Sequence, residues 1–75
     1  MTSIRTYDEL IKAYENFKKE RPQDVVSNLY QELNIVRSII ASAKMQNLDV
    51  DTFHYQQIAD KNLKELHNMG YKKLV

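Results

Sequence analysis

The chain has 75 residues, with 11 Lys and Arg against 10 Asp and Glu for a formal charge of +1, no Cys, no Trp, one Gly and one Pro. Without cysteine there is no disulfide framework and no thiolate metal site. A single glycine excludes the Gly-rich phosphate loops of nucleotide binders. No apolar run approaches the ~18 to 20 residues of a membrane span, and residues 1–6 lack the apolar stretch of a signal peptide. The expectation is a soluble, cytoplasmic chain.

Thr6-Tyr-Asp-Glu9 reads as a capping box. Tyr7, Leu10, Ile11, Tyr14 and Phe17 then recur at helical spacing, with Asp8/Lys12 and Glu15/Lys19 paired on the other side. This predicts a one-sided amphipathic helix over about 7–20. Pro22 stops it and suits the first turn of a second helix, with Asp24 near that helix's positive end. The short link predicts an antiparallel hairpin.

The second helix is predicted over about 23–46, roughly 36 Å long. Val26, Leu29, Leu33, Val36, Ile40 and Ala43 step by three and four as a heptad seam. Ile35 and Ile39 fall outside that seam and widen the apolar arc to about 220°, against the ~100° a helix needs to cover one core. Between Val25 and Asn47 the charged residues are Glu32, Arg37 and Lys44. A first helix of about 21 Å is too short to shield the whole second one.

Residues 47–52 read as a connector, with Asp51 or Thr52 capping a third helix over about 53–69. Tyr55, Ala59, Asn62, Leu66 and Met69 form its stripe, flanked by Ile58 and Leu63. Gly70 stands where a C′ residue with positive φ belongs, and Tyr71 can touch Leu66 as a Schellman end requires. Asn62 lies mid-stripe and has two readings: a buried amide that fixes register, or a solvated one on a half-buried face. The fold class is therefore all-α, an antiparallel three-helix bundle with a long central helix, forming one domain over 1–75.

Nothing in the pattern assembles catalytic chemistry. His54 and His67 point to different sides of the third helix, and no Ser sits in a Gly-rich elbow. Asp49-Val-Asp51 departs from a calcium loop, since Phe53 stands at a ligand position and His54 where that loop needs Gly. The expectation is a non-enzymatic protein with no cofactor and no metal. Leu63-Lys-Glu-Leu66-His-Asn-Met-Gly70-Tyr71 is similar to the close of a recognition helix in winged-helix regulators. Such folds continue into a two-stranded wing, of which the sequence shows no strand pattern, and a capped helix end explains the string, so no family is assigned.

Two functional readings remain. A 75-residue domain buries only about 63% of its unfolded surface, so burial against a partner is a natural source of extra stability. The surplus apolar arc then predicts an interface through Ile35 and Ile39, with Tyr30 and Arg37 at the opposite margin, serving a homodimer or a partner protein. This is the reading of an interaction or regulatory protein. The alternative is a small dimeric DNA- or RNA-binding regulator using Lys18, Lys19, Arg21, Lys72 and Lys73. Interleaved Glu15, Glu20, Asp24, Asp60 and Glu65, with a net charge near nil, count against that alternative. Abundant Lys, Asn, Ile and Tyr with scarce Gly and Pro fit an AT-rich bacterial or phage genome.

Overall fold

Three helices, α1 (Tyr7–Lys19), α2 (Val25–Met45) and α3 (Phe53–Asn68), make up the computed structural model, which describes residues 6–71. The fold is all-α, with no strand among the described residues.

Each helix begins and ends for a local reason. Thr6 Oγ1 accepts the backbone N–H of Glu9 at 3.3 Å, which satisfies one of the donors left over at the start of α1. Asp8 and Glu9 in its first turn, and Lys18 and Lys19 in its last, complement the helix dipole. The second helix starts at Val25, two residues later than the proline suggested. Asp24 is its N-cap, and the carboxylate accepts the Ser27 N–H at 2.8 Å, so the extended cap conformation falls on Asp24 and leaves Pro22 outside the helix. Asp51, rather than the N-cap residue Thr52, caps α3: its Oδ1 accepts the Phe53 N–H at 2.9 Å, whereas Thr52 makes no side-chain cap bond.

Two Schellman ends close α2 and α3. At Gly70, with φ of 100°, the Gly70 N–H donates to the His67 carbonyl at 2.9 Å and the Tyr71 N–H to the Leu66 carbonyl at 3.0 Å. The same pattern recurs at Asn47, with φ of 53°: its N–H donates to the Lys44 carbonyl and that of Leu48 to the Ala43 carbonyl at 2.9 Å. A Cβ on Gly70 would meet nothing within 4 Å, so the cost of adding one is conformational, not steric crowding. Gly70→Ala is accordingly expected to destabilise the chain by about 1 kcal/mol, measured as a shift in urea midpoint at constant m.

At 21 residues α2 is the longest of the three, against 13 for α1 and 16 for α3, and it packs against both of the others. Helices α1 and α3 reach each other through side chains, Tyr14 lying edge-on to Tyr55 with ring centroids 6.2 Å apart. Tyr14, Leu33, Val36, Ile39, Ala59 and Leu66 form the buried core, with Leu10, Ile11, Phe17, Leu29, Ile58 and Leu63 among the half-buried residues packed on it.

This packing corrects the expectation for Ile39. Its side chain is 0% exposed, inside the core, and offers nothing to a partner. One neighbour occupies about 100° of a helix's circumference, and α2 has two neighbours in its own chain. By that measure its two neighbours together cover about 200° of the α2 circumference. Among the described residues no helix is long and apolar enough to cross a membrane.

Candidate functional site

The broad apolar arc of α2 contains one charged residue that sequence reasoning passed over. Glu32 stands beside the seam residue Leu33, inside the apolar arc between the seam and Ile39, and is buried at 8% exposure. Its carboxylate gathers donors from every part of the fold. Oε2 accepts from the Tyr14 hydroxyl of α1 at 2.7 Å and from Arg21 Nη2 of the α1–α2 link at 3.0 Å. Oε1 accepts from Asn62 Nδ2 of α3 at 2.9 Å. Asn62 also donates to the Leu29 carbonyl at 3.3 Å, and Arg21 Nη1 donates to Asn28 Oδ1 at 3.1 Å.

Asn62 is 3% exposed and tied to α2 through its amide. The charges follow from the geometry. Burial pushes the Glu32 carboxyl upward, but the hydrogen bonds from Arg21, Asn62 and Tyr14, together with the Arg21 charge, hold it below its ordinary value. Burial, and then the hydrogen bond to Glu32, push the Tyr14 hydroxyl upward, so it remains a proton donor. With both carboxylate oxygens occupied, the cluster works as a brace linking three helices.

Arg21 and Lys18, read from sequence as nucleic-acid contacts, are engaged elsewhere. Arg21 is held on Glu32 and its guanidinium lies 5.2 Å from the Phe17 ring centroid, while Lys18 Nζ stands 4.8 Å from that of Tyr14. Lys19 is exposed, and Lys72 and Lys73 lie outside the described residues. Tyr30, at 43%, and Arg37 are exposed on α2. Ile35 is half-buried and lines an open groove of about 250 Å³ with Leu10, Ala13, Asn34 and Ser38.

A second apolar surface lies where α2 hands over to α3. Met45 and Phe53 are 66% and 65% exposed, and Leu48 and Val50 between them 38% and 40%. Within nine consecutive residues, four large apolar side chains face water. The cause is local. The Schellman end at Asn47 turns the chain sharply off α2, Asp51 starts α3 from the connector, and among the described residues these four side chains stay exposed.

No family model, curated protein or solved structure matches the chain. The chemistry of the site must therefore be read from its own residues. Among those described, no three His, Cys, Asp or Glu side chains stand together to hold a metal. His67 Nε2 is shielded from solvent without a hydrogen-bond partner, on a half-buried side chain near the end of α3. The two features of note are thus a saturated polar brace inside and an uncovered apolar connector outside.

Proposed function

We propose that this is a small, non-enzymatic protein–protein interaction or regulatory protein that works in the cytoplasm and docks on a partner protein through an apolar face. The carrying observation is the exposure of Met45, Leu48, Val50 and Phe53 together at the α2–α3 connector. Scattered single apolar residues are ordinary on protein surfaces, whereas a contiguous group concentrates the burial available to a partner. The docking face thus moves from the middle of α2, where Ile39 is core, to the end of that helix.

In this reading the chain is an antiparallel three-helix bundle and the docked partner includes a second copy. Asn62 lies beside Leu29 and Glu32 although α3 begins only eight residues after α2 ends, a placement that supports opposite helix directions. The nucleic-acid alternative loses support, because Lys18 and Arg21 are committed to aromatic rings and to Glu32.

The test separates surface from core. Met45→Gln with Phe53→Ser is expected to leave thermal stability within about 0.5 kcal/mol, as for other exposed sites. The same variant is expected to weaken association in sedimentation across a concentration series. Association equal to that of the wild-type chain would remove the connector from the interface.

A further inference from the structure

We propose that α1 is a detachable strap: it comes off α2 and α3 about the Glu20–Asp24 link while those two helices stay folded, and the Tyr14–Glu32 hydrogen bond is the latch that holds it down.

Burial is shared unequally among the helices. Among the described residues α1 places one side chain, Tyr14, fully in the core, whereas α2 places seven and α3 three. Leu10, Ile11 and Phe17 of α1 are only half-buried against that core. With 13 residues, α1 also falls in the range of ~12–15 below which an isolated helix is marginal in water. Undocking and melting of α1 are therefore one event, and its free energy lies below that of unfolding the whole chain.

The seat of the strap is a second stripe on α2. Asn28, Glu32, Ile35 and Ile39 step by four, three and four beside the stripe of Leu29, Leu33, Val36 and Ile40. Polar contacts gather at one end of this seat: Glu32 accepts from Tyr14 and Arg21, and Asn28 from Arg21. Further along it is incompletely filled. There the open groove of about 250 Å³ runs between Leu10 and Ala13 on one side and Asn34, Ile35 and Ser38 on the other. The Ser38 hydroxyl donates to the Asn34 carbonyl at 2.9 Å, within α2.

Opening also leaves no orphaned charge. When the Tyr14 hydroxyl departs, Glu32 Oε1 keeps Asn62 of α3, and Oε2 keeps Arg21, which belongs to the link and not to α1. Asn62 holds the Leu29 carbonyl as well, so the tie between α2 and α3 does not pass through the strap. Opening lays bare the stripe through Glu32 and Ile35, a face that the docked fold closes.

The experiment is native-state hydrogen exchange of the full chain, followed amide by amide by NMR at low urea concentrations. After allowance for intrinsic rates, the amides between Leu10 and Lys18 are expected to exchange at least tenfold faster than those of Leu33, Val36 and Leu66. Their urea dependence should be shallower, because opening one helix exposes less surface than unfolding three. Lys61→Gly, at an exposed position of α3, is expected to speed the α2 and α3 amides about fivefold and leave those of α1 unchanged, since α3 is helical whether the strap is on or off. Tyr14→Phe keeps the ring and removes the latch, and should speed α1 exchange about tenfold. Equal rates and urea slopes in all three helices, or a Lys61→Gly effect shared by α1, would overturn the proposal. Exchange of α1 that Tyr14→Phe leaves unchanged would mark fraying of single turns and overturn it too.

Discussion

Glu32→Ala is expected to cost about 3 kcal/mol of stability, seen as a fall in Tm of roughly 12–24 °C for a chain of this size. The substitution leaves the Tyr14 hydroxyl without its acceptor in the interior and takes from Asn62 its shorter hydrogen bond, while Arg21 loses its carboxylate. A 75-residue domain has only about 4–11 kcal/mol in total, so the variant gives up a large part of it. Removing the opposite partner costs less. The Arg21 side chain is 37% exposed and rehydrates when freed, and Glu32 keeps the donors from Tyr14 and Asn62, so Arg21→Ala is expected to cost about 1 kcal/mol.

The carboxyl also fixes the pH dependence. Its value in the folded chain lies below the ordinary 4.5. The unfolded chain therefore takes up the proton first as pH falls, and Glu32 stabilises the fold fully only above that ordinary value. The contribution is lost as pH drops through the folded value. The stability gap between wild type and Glu32→Gln, measured by urea denaturation, should be widest at neutral pH and narrow on acidification below 4.5. A gap independent of pH would mean that the ionised form has no special role.

Local signals made the helices legible. The capping bond of Thr6, the Schellman end at Gly70 and the apolar spacing of all three helices depend on residues within a few positions of one another, which is the range a sequence displays directly. The start of α2 was less visible because Pro22 and Asp24 both offer a first turn, and the side-chain bond to Ser27 decides between them. The polar brace is of another kind. Glu32 is 11 residues from Arg21, 18 from Tyr14 and 30 from Asn62, and no periodicity reports such distances. A weaker signal was present: Glu32 stands within the apolar arc of α2 and Asn62 on the apolar stripe of α3, and two polar residues so placed on successive helices invite pairing across the interface. Arg21 belonged to the same cluster but was grouped by charge with the lysines around it. The exposed connector was hidden by its aspartates and by its reading as a simple link, since uncovered apolar residues become evident only once the helices that might cover them have been placed.

Ile39→Glu is expected to unfold the chain, the largest effect among the substitutions considered. Ile39 packs in the core with Tyr14, Leu33, Val36, Ala59 and Leu66 at 0% exposure, so an introduced carboxylate has neither water nor a free donor beside it. The graded series isolates the cause: Ile39→Val should cost about 1 kcal/mol and Ile39→Ala about 2–5 kcal/mol, through lost burial and the cavity left behind. Ile35→Glu provides the control one turn away. Ile35 is half-buried at the rim of the open groove with Asn34 and Ser38, where a carboxylate can turn to water, and helicity should survive at a cost of about 1 kcal/mol. Helicity by circular dichroism, followed at several concentrations, distinguishes the two roles available to an apolar side chain on α2. Loss of helicity at every concentration for Ile39→Glu, with Ile35→Glu still folded, marks Ile39 as the residue that joins the two neighbours of α2 to one core. A folded, helical Ile39→Glu that merely associates less would instead place that side chain at a surface between molecules, contrary to its burial in this fold.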